Sequence, residues 1–293
     1  MGQKADLVLD VKSQLGEGPL WLADQGMLAW VDIEGRCIEF LQPETGERRS
    51  ISVGERIGAV VESEDGRLVC ALQNGLHYLD TKTEQLEFIG DPEQDLAGNR
   101  FNDGKCDPAG RFWAGTMPLS GPEASGSLYM LDRDGEIHRK VRDIRCSNGL
   151  GWSLDGTRMY YIDTPTRRID VFYYDSATGE ISERQPLVEV PSELGSPDGM
   201  TVDAEGKIWL AHWGGSCITR WDPSTGKQLD KVELPVSQVT SCAFGGKNLD
   251  VLYITSARVG LSEEKLAKEP LAGGVFSYIP GVKGLPASRY SGK

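Results

Sequence analysis

The sequence predicts an all-β chain folded as a six-bladed propeller, four antiparallel strands to a blade, closed by its own N-terminal strand. Three observations predict it. One hairpin pattern recurs six times, a second hairpin follows each copy, and one strand-like run is left over at the N-terminus. The copies lie roughly 40 to 50 residues apart, the length of one four-stranded blade.

The first hairpin of each copy joins an apolar segment, a turn rich in Asp and Gly, and a strand of Trp, Tyr and aliphatic residues. The copies span 23–32, 64–72, 107–116, 154–163, 204–213 and 247–256. Asp-Gly between apolar runs is a strong short-range hairpin signal. The second hairpins span 37–53, 76–89, 127–141, 169–188, 217–234 and 275–290. Helical periodicity is confined to 261–271, where Ser262 is placed to cap a short helix and Lys265 and Lys268 fall near its end. The last copy lacks a strong fourth strand, and an open ring would leave two sheet edges exposed. The run 5–11 (ADLVLDV) has the right length to complete that blade. No linker interrupts the pattern, so residues 1–293 are expected to form a single domain.

Composition excludes several classes of function. The formal charge of −13 leaves no basic stripe for phosphates, which argues against nucleic acid. No apolar run approaches the length of a membrane span, and the first residues lack the apolar core of a signal peptide. The six cysteines are spread along the chain with no CxxC pair. That is neither a disulfide framework nor a zinc cluster. A cytoplasmic protein, monomeric or weakly dimeric, with no membrane partner is expected. The three histidines, His77, His138 and His212, sit in or beside strands with no metal-ligand spacing. There is no GxSxG elbow and no GxGxxG opening a helix.

One repeat position carries chemistry. Counting back fifteen residues from Asp32 and from Asp163 leads to Glu17 and Asn148, just before the innermost strand. The same place in the other copies is Gly58, Asn102, Asp198 and Thr240. Innermost strands line a propeller's channel, so equivalent positions form a ring at one mouth. Glycine follows Glu17, Asn148 and Asp198 directly, where it lets the backbone approach a ligand closely or fits a bend that a Cβ would forbid. Asn-Gly and Asp-Gly can each be plain turns. Four oxygen-bearing side chains at equivalent positions argue for a site. Two carboxylates facing each other repel, and a bound cation removes that penalty. Carboxylate and amide oxygens without His or Cys suit calcium, magnesium or manganese, with zinc as the alternative. Arg100, two residues before Asn102, can reach a substrate hydroxyl or carboxylate, or form a surface ion pair. Asp103 is either part of the site or, with Gly104, a turn.

Five spaced motifs carry a resemblance. Leu15-Gly-Glu-Gly-Pro-Leu-Trp21, Asn99-Arg-Phe-Asn-Asp-Gly-Lys105, Ser147-Asn-Gly-Leu150, Pro197-Asp-Gly-Met200 and Thr240-Ser-Cys-Ala-Phe-Gly-Gly246 stand in order over essentially the whole chain. They resemble the senescence-marker-protein/gluconolactonase/luciferin-regenerating-enzyme family, also called the regucalcin family. The resemblance implies one divalent metal ion on Glu17, Asn148 and Asp198. It also implies substrate contacts at Arg100 and Asn102 with Asp103 nearby, and hydrolysis of sugar lactones to aldonic acids. Asp198 is then the expected general base. A non-catalytic calcium-binding regulator, or a hydrolase of another ester or an organophosphate, is the alternative. In one family member a Glu shortly after Gly-Thr-Met touches substrate. Here Gly115-Thr116-Met117 runs into Pro118-Leu119-Ser120, with Glu123 further on, so the sugar preference does not carry over. The Gly- and Pro-containing segment 118–126 is a candidate lid.

Overall fold

The computed structural model describes residues 2–292. Six four-stranded antiparallel sheets form a ring, in chain order from the innermost strand outward. The innermost strands are Gly16–Leu22, Ile57–Glu62, Asn99–Cys106, Ser147–Trp152, Ser196–Val202 and Val239–Gly245. The sixth blade is completed by Asp6–Leu9, which pairs antiparallel with Val275–Tyr278 in the register Asp6 to Ser277 and Leu7 to Phe276. The ring is therefore closed by the left-over N-terminal run, as the repeat count predicts. The two-residue strand Gln3–Lys4 adds in parallel to the outer edge of the fifth blade.

The repeated turn has a physical role. Asp107 accepts the backbone N–H groups of Ala109 and Arg111 and the indole N–H of Trp113 at 2.9 Å. Asp203 does the same for Glu205, Lys207 and, at 3.0 Å, Trp209. One carboxylate thus shapes the turn and orients the tryptophan that follows. Trp113 and Trp209 are fully buried. Ser262 caps the short helix Glu263–Lys268 by accepting the N–H of Lys265.

The last copy departs from the expected hairpin. Among the described residues no return strand follows Val275–Tyr278. Pro280 and Pro286 cannot donate to a ladder, and the segment leaves the blade. It crosses the channel at the end where the innermost strands finish. There Ala204 donates to Lys283, Tyr290 to Glu62 and Ser291 to Gly110, all backbone to backbone.

The six cysteines are free thiols, four buried and two half-buried. Among the described residues no helix is long and apolar enough to cross a membrane.

Candidate metal and substrate site

The ring residues lie inside the innermost strands rather than just before them. Each innermost strand carries a β-bulge at that position. The register slips between Glu17 and Leu20, Ile57 and Ala59, Phe101 and Gly104, Asn148 and Leu150, Pro197 and Met200, and Val239 and Ser241. A bulge releases a residue from the ladder and re-aims its side chain. Repeated six times, it turns a strand position into a ring position.

Two strand-end aspartates place the ring. Asp32 accepts the backbone N–H groups of Gln14 and Leu15, just ahead of Glu17. Asp163 accepts that of Cys146, just ahead of Asn148, at 2.9 Å. In the sequence both residues serve only as landmarks for counting. Their recurrence after Val31 and Ile162 is the signal that could have revealed this role.

Glu17, Arg100, Asn102, Asp103, Asn148 and Asp198 are each only 4–7% exposed. The Asn102 amide donates to Asn148 Oδ1 at 3.0 Å and to the Ser147 carbonyl. The Asn148 amide donates to Thr164 Oγ1 at 2.8 Å, and Thr164 donates to the Pro197 carbonyl. Thr164 thereby joins the strands of Asn148 and Asp198, a link that nothing in the sequence marks. Arg100 turns inward, Nη1 donating to Asn102 Oδ1 at 2.7 Å and to the Phe101 carbonyl. Among the described residues it forms no ion pair, so its surface-bridge reading is not what the fold uses.

The two remaining ring positions shape the site without furnishing ligands. Thr240 Oγ1 donates to the Gly16 carbonyl beside Glu17. Gly58 packs on the Asn102 strand, where an added Cβ would meet the Asn102 carbonyl oxygen and come within 2.6 Å of the Phe101 oxygen. The glycines after Asn148 and Asp198 serve a similar end, a neighbouring strand rather than a ligand approaching them, whereas Gly18 after Glu17 fits a bend at φ +51°. A Cβ on Gly149 would lie 2.8 Å from the Asp198 carbonyl oxygen. Overpacking of this kind costs about 1–3 kcal/mol. Gly58→Ala is therefore expected to lower the melting temperature by about 2–12 °C and to weaken substrate binding by displacing Asn102. Thermal unfolding and KM check both.

Electrostatics single out the acids. Burial, then the charge of Asp103, pushes Glu17 up from 4.5 to about 8, against the Gly18 N–H and Arg100. Burial, then Glu17 and Asp103, pushes Asp198 far above the usual carboxylate range. Burial also raises Asp103, opposed by Lys105. Asp198 Oδ1 is buried without any hydrogen-bond partner. Two dry carboxylates, one with an orphaned oxygen, and the amide oxygen of Asn148 make up an all-oxygen donor set. These residues fit a hard divalent metal. Among the described residues no three His, Cys, Asp or Glu side chains form a metal-binding cluster.

Asp103 is placed differently from its neighbour Asn102. It lines a cavity of about 140 Å³ further down the channel, with Lys105, Trp21, Trp152, Phe244 and Leu285. Arg100, Asn102, Glu17, Asn148 and Asp198 do not line that cavity. Lys105 Nζ donates there to the Met200 carbonyl.

Residues 15–258 match the SMP-30/gluconolactonase/LRE-like region. The chain belongs to that family. SMP-30-like relatives resemble it over their whole length. Regucalcin of Gallus gallus is 39% identical over 99% of each chain. A Bacillus subtilis (strain 168) chain provisionally named sugar lactone lactonase YvrE is 38% identical over 93% of this chain and 94% of its own. The crystal structure of a calcium-binding protein, regucalcin, from Agrobacterium tumefaciens superposes with a TM-score of 0.94. It is 30% identical and is matched over 99% of this chain and 98% of that one.

Proposed function

We propose that the protein is a metal-dependent hydrolase of sugar lactones, opening aldonolactones to aldonic acids. The observation that carries this reading is the orphaned, buried Asp198 Oδ1, on a carboxyl that burial and the charges of Glu17 and Asp103 all raise. The lactonase name of the Bacillus subtilis relative supports the reaction, and the calcium-binding description of the Agrobacterium relative supports the cation.

Glu17, Asn148 and Asp198 would hold the ion, taken as calcium, zinc, manganese or magnesium. When bound, a divalent cation there supplies Lewis acidity to the lactone carbonyl and makes water more acidic. The chain's own residues supply the rest. Asp198 takes a proton from the attacking water. The water oxygen bonds to the acyl carbon, the acyl C–O bond of the ring breaks, and the proton passes to the departing hydroxyl oxygen. Arg100 and Asn102, held together by their hydrogen bond, orient the sugar hydroxyls. Asp103 acts through its charge on Glu17 and Asp198.

The test compares a hydroxylated aldonolactone with a simple lactone lacking those hydroxyls, in wild type and Arg100→Ala. A hydrogen bond to a charged group contributes about 1.5–3 kcal/mol, so kcat/KM for the hydroxylated lactone should fall about 10- to 150-fold, mainly through KM. The simple lactone should change much less. An unchanged ratio would make Arg100 structural. Tight calcium binding by a wild type that opens neither lactone would instead support the non-catalytic regulatory role.

A further inference from the structure

The connection between the second and third blades, residues 91–98, carries a buried acid that the site described above does not use. Glu93 is 9% exposed. Its Oε1 accepts from Thr116 Oγ1 at 2.8 Å and Tyr129 OH at 2.9 Å. Its Oε2 accepts from Asn99 Nδ2 at 2.9 Å. Among the described residues it forms no ion pair. Removing a carboxylate from water is costly, and the three neutral donors offset that cost only while they converge on it.

The three donors show what that geometry does. Asn99 directly precedes Arg100. Its amide also donates to the Ser125 carbonyl, and its Oδ1 accepts from Ser125 Oγ at 2.7 Å. Thr116 accepts the N–H of Ser127 on its hydroxyl. Asn99 and Ser125 thus clasp the far end of segment 118–126, while Leu119 N donates to the Gly98 carbonyl at the near end. Met117, paired with Arg100 across the sheet, places its sulfur 3.7 Å from Cys146 Sγ, which in turn accepts from the Asn148 amide. One buried carboxylate therefore anchors both segments that flank Arg100, at the end of the channel that carries the ring. The tip of 118–126, from Ser120 to Ala124, is exposed.

We propose that Glu93 is a positioning residue for substrate recognition. Through Asn99 and Ser125 it clamps segment 118–126 beside the mouth, and through the same contact it sets the strand from which Arg100 reaches Asn102. This role rests on the lactone reading above.

Glu93→Gln cuts the clamp selectively. The glutamine carbonyl still accepts from Thr116 and Tyr129, but its NH₂ meets the Asn99 NH₂, donor against donor. Ser125→Ala is the second variant and removes the Ser125 Oγ bond to Asn99 Oδ1, leaving the backbone contact and the buried acid untouched. Two measurements are made on the full chain. Native-state cleavage by a glutamate-specific protease after the exposed Glu123 is expected to quicken about threefold to tenfold in both variants, the loss of one hydrogen bond. KM for a hydroxylated aldonolactone is expected to rise by a similar about threefold to tenfold factor, with kcat, the simple-lactone KM and calcium affinity unchanged. Cleavage at the wild-type rate, or equal changes for the two lactones, overturns the proposal and leaves Glu93 a fold residue. A wild type that opens no lactone overturns the functional reading and the recognition role with it, while the cleavage rate still reports separately on the clamp.

Discussion

Asp198→Ala is expected to lower kcat/KM for lactone hydrolysis by more than about a hundredfold, the scale of a general base and a metal ligand removed together. The metal-free variant should be no less stable than the metal-free wild type. In most enzymes a buried polar group is satisfied, and its removal costs stability. Here the reverse holds, because Asp198 Oδ1 has no partner and its charge is disfavoured by burial and by Glu17. Truncation removes a carboxyl whose charged form burial and Glu17 both disfavour. The opposite directions of the two effects are what identify a site built for a cation rather than for the fold. The measurements are kcat/KM with metal present and thermal unfolding after chelation. Activity within tenfold of wild type would remove Asp198 from the chemistry, and a large loss of metal-free stability would make it a structural residue.

The second large effect is a pH-dependent loss of stability that appears only when the metal is stripped. Glu17 titrates at about 8 in the folded chain against 4.5 for an ordinary carboxyl. A group with a raised folded pKa stabilises fully below its unfolded value, and that stability is lost as pH rises through the folded value. Between about pH 4.5 and 8 the metal-free protein should therefore lose stability steadily. Every pH unit separating the folded from the unfolded pKa is worth about 1.4 kcal/mol, so the loss amounts to several kcal/mol, and the raised Asp198 acts in the same direction. A cation reverses the sign, since it favours both carboxylates charged. Adding calcium to chelated protein should raise the melting temperature far more at pH 8 than at pH 5, by on the order of 10 °C or more. Melting curves across this pH range, with and without calcium, check it. A metal-free melting temperature independent of pH would mean that the two acids share no dry site.

The sequence by itself determined the blade count, the closing strand and the ring. Each is written in local pattern: a turn aspartate followed by a tryptophan, an alternating strand, a residue fifteen places before Asp32 or Asp163. Local pattern repeats, and repeats can be counted. Tertiary structure alone decided what each ring member does. Thr240 bonds the carbonyl of Gly16, 224 residues away, and Asn102 bonds Asn148 across 46 residues. The bulge that places the ring residues within their strands, the inward turn of Arg100 and the burial that orphans one oxygen of Asp198 are products of neighbouring blades. The segment 279–290, read from the sequence as lacking a strong fourth strand, forms none for a related reason. Its prolines left it without ladder donors, and the N-terminal strand already held the edge it would have joined. Glu93 went unnoticed because one acid in an irregular connection has no periodicity, and its role exists only where Asn99, Thr116 and Tyr129 converge on it.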